Sequence, residues 1–368
     1  MKRRDFIHKT AATASVFSIV PSHVLGFGTT APNDKIQLGF IGVGKQGRGL
    51  MTNFVNYDSA SVVAVSDVDV NKMSFFSETF QKALAKKNKP SQNLDEIAAY
   101  RELLERKDID AVVIASPDHW HAQMAVDAAK VGKDIYCEKP LSSSVAEGRA
   151  MVDSARKYNR VFQTGSMQRS WDRFRQGVNL IRNGYIGEIK EVKVAIGAPY
   201  KACDLPSQPI PETIDWNAWI GPAPYRGYHF DLACPIEDKR WGMWRDYTPF
   251  GGGMITDWGA HMFDIVQWAL DMDDTGPLHF IPPGGVAVEG LTYTYANGIT
   301  VTHTKWGRGN NEIQFIGTEG RLEISRGYLK TFPNTDLAKT PLKETDTNLV
   351  YNSPNLPEKQ QSQCLYHP

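Results

Sequence analysis

The chain has 368 residues, of which 41% are hydrophobic and 22% are charged, and this length and composition predict a globular protein of two domains. They exclude collagen, a coiled coil, a disulfide-stabilised miniprotein and a chain that is disordered throughout. Lys and Arg together number 41, as do Asp and Glu, and no basic stripe stands out, so nucleic acid is not an expected partner. The four cysteines form no CxxC pair that would predict a metal site, although Cys203 could pair with Cys234 across a loop.

Residues 1–30 are predicted to be a targeting segment and linker rather than part of the fold. Arg3 and Arg4 lie in a charged stretch that precedes an apolar run over 11–20. Ten helical residues rise only ~15 Å, so this run is too short to cross a bilayer. The pattern resembles a twin-arginine export signal cleaved after Gly26, which predicts an exported, periplasmic protein; a disordered basic tail is the alternative. No later stretch reaches the ~18 consecutive apolar residues of a membrane helix, so we expect the mature chain to be soluble.

Residues 31–164 alternate apolar strand patterns with amphipathic helix patterns. This alternation is typical of a parallel sheet covered by helices on both faces, and it predicts a doubly wound α/β domain of the Rossmann type. The predicted strands cover 36–43, 61–67, 111–116, 134–137 and 161–164. The predicted helices cover 71–87, 100–106, 119–131 and 144–158.

Residues 165–351 have a different pattern, which predicts an α+β domain with a largely antiparallel open sheet. Its period-2 strands are predicted over 189–196, 285–296, 299–306, 312–316 and 321–325, and its helices over 173–183 and 259–270. Asn297-Gly298 is a strong hairpin signal. The Pro-, Gly- and Trp-rich residues 199–250 are predicted to form a long loop over the domain junction, and residues 352–368 a short polar tail.

A glycine cluster follows the first predicted strand at once. Gly42, Gly44 and Gly47 form a G-x-G-x-x-G motif. The first glycine allows a tight turn, the second lets the main chain approach a pyrophosphate, and the third lets helix and strand pack closely. The helix that follows offers unpaired N–H groups to the anion. We therefore expect this turn, including Lys45 and Gln46, to bind a dinucleotide; glycines that merely connect a strand to a helix are the alternative.

An acidic residue supports this interpretation of the glycine turn. Asp67 ends the next predicted strand, twenty residues after Gly47. Its carboxylate would accept hydrogen bonds from both ribose hydroxyls and repel a 2′-phosphate, which predicts NAD rather than NADP. Asp69 is a rival for this role, with a helix N-cap as its alternative.

Three further groups are expected where such a fold binds its ligand. Open parallel sheets bind ligands at the carboxyl ends of their strands, where segments 116–121 and 138–140 lie. Lys139 could polarise a carbonyl or receive a proton there, although a surface lysine is an equal alternative. In the second half, Asp257 and His261 have i, i+4 spacing, so the aspartate can orient the imidazole and raise its basicity.

Three motifs together resemble one family. The segments GFIGVGKQGRG, CEKPLS and GGGMITDWGAHMFDIVQWAL, within residues 35–330, are similar to the Gfo/Idh/MocA oxidoreductases. The resemblance implies a Rossmann domain and an α/β domain whose sheet lines the active site or an oligomer interface, so a homo-oligomer (dimer or tetramer) is expected. It also implies NAD(P) as the cofactor and sugars, cyclitols or their derivatives as substrates. The implied catalytic residues are Lys139, Asp257 and His261, and those implied beside the nicotinamide are Pro117, His121 and Glu138. Ser116 is also expected to bind the cofactor.

These observations predict an NAD-dependent oxidoreductase that acts on a hydroxyl carbon of a sugar, glycoside or cyclitol. A redox-neutral glycosidase, lyase or epimerase that oxidises its substrate transiently is the alternative, and a non-catalytic sugar-binding protein is a third. Export would separate the enzyme from the cellular NAD pool, so we expect a tightly held cofactor. The family normally continues after Arg326 through a helical segment, and the short tail here suggests truncation or a frame shift. Candidate sugar contacts are Gln168, Arg169, Trp241, Trp244 and Tyr247.

Overall fold

A computed structural model describes residues 34–285, 287–306 and 311–349 of the chain. The predicted export segment, the polar tail with its cysteine, and the cleavage position lie outside these residues. Within the described ranges, every helix is too short or too polar to cross a membrane.

The first sheet has six parallel strands in the order β3-β2-β1-β4-β5-β6. This order reverses direction between β1 and β4, which creates the crevice in which Rossmann folds bind dinucleotides. The strands are β1 (Ile36–Ile41), β2 (Ala60–Ser66), β3 (Asp95–Ile97), β4 (Ala111–Ile114), β5 (Asp134–Glu138) and β6 (Phe162–Gly165). Sequence patterns missed only β3, because its three residues are largely exposed and show no apolar run.

Five helices cover the two faces of this sheet. Phe40 of β1 packs with Phe76 in the core on one face, while the next residue, Ile41, packs with Leu103 on the other. Both faces are therefore buried, which explains why the strands read as continuous apolar runs. The helices are α1 (Lys45–Phe54), α2 (Val70–Lys86), α3 (Tyr100–Glu105), α4 (Asp118–Lys130) and α5 (Val145–Lys157).

In the part of the chain that the structure describes, the second sheet has seven strands in the order β10-β11-β12-β7-β13-β14-β15, of which only the β12–β7 pair is parallel. Helices α6 (Asp172–Arg182) and α9 (Gly259–Ala269) pack on one face, where Val192 and Val194 meet Met262 and Ile265. The predicted fold class, α/β with a largely antiparallel second sheet, is thus confirmed. The strands are β7 (Ile189–Ala195), β10 (His279–Ile281), β11 (Thr292–Thr294), β12 (Thr300–His303), β13 (Glu312–Gly317), β14 (Arg321–Ser325) and β15 (Leu329–Phe332).

Two parts of this half differ from the sequence prediction. The strand predicted over 285–296 is confined to β11, because Gly285 and Gly290 adopt positive φ values of 60° and 107° that turn the chain. The short strands β10 and β15 were not predicted. In β10 all three residues are exposed, so no alternation marks it.

Residues 199–250 are more ordered than the predicted loop. They contain β8 (Lys201–Ala202), α7 (Trp216–Ile220) and β9 (Tyr247–Thr248), and they enclose a small aromatic core of their own. The rings of Trp216 and Trp219 stack at 4.6 Å between centroids. The suggested disulfide is wrong: Cys203 and Cys234 are both free.

Candidate active site

A cavity of about 790 Å³ extends from the glycine turn to the start of α9. Residues of both halves line it, including the ends of β1, β2, β4 and β5 and the four-residue helix α8 (Met254–Asp257). Most of the predicted site residues lie on its walls. They are Gly42, Gly44, Lys45, Gln46, Asp67, Ser116, Pro117, His121, Glu138, Lys139, Trp241, Trp244, Asp257 and His261.

The three motif glycines differ in what a side chain at each position would contact. Gly42 has a φ of +81°, and a Cβ there would lie 2.5 Å from the main-chain nitrogen of Ser116. A Cβ on Gly47 would lie 2.4 Å from the Gly42 carbonyl oxygen, so these two glycines serve turn and packing. A Cβ on Gly44 would meet nothing within 4 Å, because this residue faces the cavity at the uncapped N-terminus of α1. The turn therefore fits a pyrophosphate, as the motif predicts.

The two candidate ribose acceptors, Asp67 and Asp69, are distinguished by the hydrogen bonds that each accepts. Asp67 lines the cavity and accepts from the main-chain N–H of Val43 at 2.9 Å and of Asp69 at 3.1 Å, which orients its carboxylate. Asp69 instead caps α2 by accepting from the N–H of Asn71 at 3.1 Å. Each Asp67 oxygen retains a further lone pair for a ribose hydroxyl. The donor and acceptor set therefore fits the adenosine half of a dinucleotide.

His121 and Glu138 connect neighbouring segments at the carboxyl end of the first sheet by hydrogen bonds. The ring nitrogens of His121 lie 2.7 Å from the Pro140 carbonyl oxygen and 2.9 Å from that of Ser116. Burial lowers the pKa of His121 to about 4. Glu138 accepts from Gln46 Nε2 at 2.8 Å, which links this edge to the glycine turn, and burial raises the pKa of its carboxyl. These hydrogen bonds hold segments 116–121 and 138–140 and the glycine turn together as one wall of the cavity.

Lys139 pairs with Asp257 across the cavity. Lys139 Nζ donates to Asp257 Oδ1 at 2.7 Å and to the Asp257 carbonyl oxygen at 3.0 Å. Arg245 Nε lies 3.3 Å from the same Oδ1. Although burial opposes it, the charges of these cations lower the pKa of Asp257 below its usual value. The first half of the molecule thus contributes the lysine and the second half its counter-ion.

His261 lies on the same wall but is not oriented by Asp257, so that prediction is wrong. Asp257 ends α8 and its carboxylate engages Lys139, whereas His261 belongs to α9. Within the described residues, the buried Nδ1 of His261 has no hydrogen-bond partner. Burial, together with the charges of Lys139 and Arg326, lowers the pKa of His261 to about 3, and the opposing charge of Asp257 does not offset them. The imidazole is therefore neutral at physiological pH.

Comparison with known proteins agrees with this architecture. A model described as the Gfo/Idh/MocA oxidoreductase family with an NAD-binding Rossmann fold matches residues 36–166, and the C-terminal alpha/beta domain of that family matches 200–350. The uncharacterised oxidoreductase YrbE of Bacillus subtilis is 30% identical over 300 residues, which are 79% of this chain and 71% of YrbE. The chain belongs to the Gfo/Idh/MocA family of NAD(P)-dependent oxidoreductases.

Other similar proteins differ in function and coverage. An alpha-N-acetylgalactosaminidase of Shewanella oneidensis is 31% identical over 186 residues, which are 49% of this chain and 39% of that protein. The chain spans only 34–39% of the length of this relative and of a glycosyl hydrolase family 109 protein of Shewanella pealeana, which is 33% identical over 158 residues. A solved 3-ketoreductase from Actinomadura kijaniata, bound to NADP, has a TM-score of 0.55 and 20% identity over 83% of this chain and 87% of that one. This likeness shows the fold.

Three of the five predicted sugar contacts lie outside the cavity of this family member. Arg169 is only 2% exposed, and its guanidinium binds the carboxylates of Asp264 and Asp273 at 2.7–2.8 Å. Gln168 is buried and accepts from Arg326 Nε at 2.7 Å. Tyr247 is 4% exposed and belongs to the aromatic core. These three assignments are wrong, because residue type alone does not show where a side chain points.

The ion pairs of Arg169 with Asp264 and Asp273 are expected to stabilise the fold rather than to bind substrate. Arg169→Met would leave the partly buried Asp264 carboxylate without its partner, so we expect the free energy of unfolding to fall by about 2–3 kcal/mol in urea titrations. Arg149→Met, which removes an exposed pair on α5, should change it by less than about 0.5 kcal/mol. A stable Arg169→Met protein with a much raised sugar KM would contradict this assignment.

Among the charged residues on the cavity wall that were not predicted, Asp118, Arg245 and Arg326 lie at the end that holds Lys139, Asp257 and His261. Arg326 directly follows β14, so its place at a strand end was a usable signal. Asp118 is the first residue of α4 and lies inside the 116–121 segment that was noted without assigning it a role. Arg245 lies in a tryptophan-rich segment whose path over the cavity could not be inferred from local pattern.

Asp118 is expected to make a pH-dependent contribution to stability. The residue is 5% exposed, and burial raises the pKa of its carboxyl from 3.8 to about 8. Between these pH values only the folded state holds the proton, so stability falls as pH rises. Asp118→Asn, which is neutral throughout, is therefore expected to gain about 1–3 kcal/mol over the parent at pH 8 and nothing near pH 4. Denaturant unfolding at both pH values, with the exposed Asp153→Asn as control, tests this; equal gains at both pH values would contradict it.

Proposed function

We propose that this protein uses NAD to oxidise a hydroxyl-bearing carbon of a sugar, glycoside or cyclitol. The observation that carries the proposal is the shared cavity. It begins at Gly44 and Asp67, which fit the two ends of a dinucleotide's ADP half, and continues to Lys139 and His261. A cofactor bound along the sheet edge would bring its reactive ring to these two side chains, which is the placement that hydride transfer requires.

The chain's own residues would hold the cofactor at three places. The glycine turn and the N-terminus of α1 would bind the pyrophosphate, and Asp67 would bind the adenosine ribose and disfavour a 2′-phosphate. Segments 116–121 and 138–140 would form the wall beside the nicotinamide. When bound, the oxidised nicotinamide supplies a hydride acceptor.

The remaining polar residues would handle the substrate proton. Lys139 is engaged by Asp257 at 2.7 Å, so it acts as a fixed positive charge that stabilises the developing alkoxide. His261 is neutral, and its Nδ1 is buried, so the other ring nitrogen would accept the hydroxyl proton. Asp257 would position Lys139 rather than the imidazole. Trp241 and Trp244 line the cavity and offer flat surfaces for a sugar ring.

A second candidate is a redox-neutral enzyme that oxidises a glycoside transiently and then returns the hydride. The relatives named glycosyl hydrolase family 109 protein and alpha-N-acetylgalactosaminidase support it, although each is matched over only 34–39% of its length. The two candidates share the cofactor, the cavity and the first chemical step. They differ in whether reduced cofactor accumulates.

We also propose that the protein is exported through the twin-arginine pattern in residues 1–30 and keeps its cofactor through turnover. This route carries folded proteins, so NAD could be bound before export. Nicotinamide retained through extensive dialysis supports this proposal; a protein that needs NAD added for each turnover would contradict it.

The proposed activity is tested by incubating the protein and NAD with a panel of sugars, cyclitols and glycosides. Nicotinamide absorbance reports reduced cofactor, and mass spectrometry of products reports keto-sugars. Reduced cofactor in proportion to keto-sugar supports the oxidoreductase. Cleaved or epimerised product without net reduction supports the redox-neutral candidate. A protein that binds no NAD, or converts none of the panel, contradicts both.

A further inference from the structure

Three cationic side chains meet at the substrate end of the cavity. Lys139, Arg245 and Arg326 all line it. The Asp257 carboxylate lies between the first two, at 2.7 Å from Lys139 Nζ and 3.3 Å from Arg245 Nε. The Arg326 guanidinium carbon lies 4.2 Å from the ring centroid of Trp258, the residue after Asp257. The charges of Lys139 and Arg326 both act on His261, and those of Lys139 and Arg245 both act on Asp257, so the three cations lie at the same end of the cavity.

The acidic groups of this end do not balance these cations. Asp257 and Glu138 are the anions beside them. Burial raises the pKa of Asp118 to about 8, so this carboxyl is mostly protonated at neutral pH, while His261, with a pKa of about 3, is uncharged. Three positive charges thus face at most two negative ones, and the wall has a net attraction for anions.

Both arginines retain N–H groups that no described residue uses. Arg326 donates through Nε to Gln168 at 2.7 Å, and within the described residues its two Nη atoms have no acceptor. Arg245 uses Nε for Asp257 and Nη1 for the Gly242 carbonyl oxygen at 3.0 Å, and among the same residues its Nη2 has none. Guanidinium groups on a cavity wall with unshared N–H donors suit an anionic oxygen pair.

Aromatic rings hold the Arg326 guanidinium in place. Its carbon lies 4.2 Å from the Trp258 ring centroid and 5.2 Å from that of Trp171, while Gln168 binds its Nε. A side chain fixed in this way loses little conformational freedom when it binds a ligand, so more of the interaction energy appears as affinity. Arg245 is held similarly, at 4.2 Å from the Trp244 ring centroid.

We propose that this end of the cavity binds the anionic group of an acidic sugar, with Arg326 and Arg245 as its receptors. The inference rests on the proposed function, because it names the substrate class of the same site. A hexuronate carboxylate and a sugar phosphate share this chemistry. The planar guanidinium groups match the carboxylate best, so a uronic acid or its glycoside is the expected ligand.

The test is a calorimetric titration of the full chain, supplied with NAD, with glucuronate, galacturonate, a hexose phosphate and the matching neutral hexoses. We expect the acids to bind at least about 10-fold more tightly than the neutral sugars, and this preference to shrink as salt is raised. Arg326→Gln and Arg245→Gln should each remove most of it, and Arg326→Lys should restore part. Arg321→Gln, an exposed arginine on β14, should leave it unchanged. Tighter binding of the uronates than of the hexose phosphate would show that the anionic group is a carboxylate rather than a phosphate.

Equal binding of acidic and neutral sugars, or a preference that survives both glutamine variants, would overturn the inference. The proposed function can fail separately. Hydride transfer from neutral sugars alone would overturn the anion site and leave the oxidoreductase standing. A preference for acids in a protein that binds no NAD would overturn the oxidoreductase and leave the anion site standing.

Discussion

Replacing Lys139 with methionine is expected to lower kcat for sugar oxidation by about 10³-fold while changing NAD affinity far less. The variant keeps the length and apolar stem of the side chain but removes the positive charge that meets the developing alkoxide. Arg245 remains beside Asp257, at 3.3 Å, so that carboxylate keeps a partner and the fold should survive. Stopped-flow measurement of reduced nicotinamide in a single turnover separates this loss from slow product release.

Lys130→Met is the matched control, because Lys130 is an exposed lysine in the last turn of α4. It should behave as the parent in both measurements. A Lys139→Met protein that binds NAD and transfers hydride at the parental rate would remove the lysine from the mechanism. A loss confined to sugar KM, with kcat unchanged, would make Lys139 a binding residue only.

Replacing Gly44 with valine is expected to weaken NAD binding by about 100-fold, equivalent to about 2.7 kcal/mol, without loss of stability. The Gly44 backbone has φ −63° and ψ −159°, an extended conformation open to other residues, and a Cβ there meets no protein atom within 4 Å. The added Cβ would therefore lie in open cavity space, where the pyrophosphate is proposed to lie. Titration of tryptophan fluorescence with NADH, alongside urea unfolding, measures both quantities.

Gly49→Ala provides the control on the same helix. A Cβ at Gly49 also meets nothing within 4 Å, but this residue is on the exposed face of α1 and outside the cavity. We expect the Gly49→Ala variant to gain about 0.5–1 kcal/mol of stability, because alanine is more favourable than glycine in a helix interior. It should bind NAD as the parent does. If Gly44→Val binds NAD normally, the cofactor does not cross this turn.

The Rossmann half could be predicted from sequence because its signals are local. Strands buried on both faces show continuous apolar runs, and the tasks of Gly42 and Gly47 follow from their spacing. Asp67 could be predicted as the ribose acceptor from its place at a strand end, but only the structure shows that Asp69 caps α2. Most of these contacts lie within the motif or beside it, such as the Gly42 carbonyl oxygen beside Gly47 and the Val43 N–H that bonds Asp67.

The substrate half could not be predicted as well, because its contacts join distant segments. Arg169 and Arg245 both lie near tryptophans in sequence. Arg169 nevertheless forms ion pairs with two aspartates, whereas Arg245 lines the cavity. The i, i+4 spacing of Asp257 and His261 suggested a pair. Lys139, from the other half of the molecule, takes the carboxylate instead, and no local pattern carries that information.

The most direct test of the account is to follow a hydrogen isotope from substrate to cofactor. The protein and NAD are mixed with sugars, uronates and cyclitols that carry deuterium on their carbinol carbons, and the mass of the recovered nicotinamide is measured. We predict that the cofactor gains one deuterium with at least one substrate, and that Lys139→Met strongly suppresses this gain. Turnover of a labelled substrate by NAD-bound protein with no deuterium reaching the nicotinamide would contradict the account.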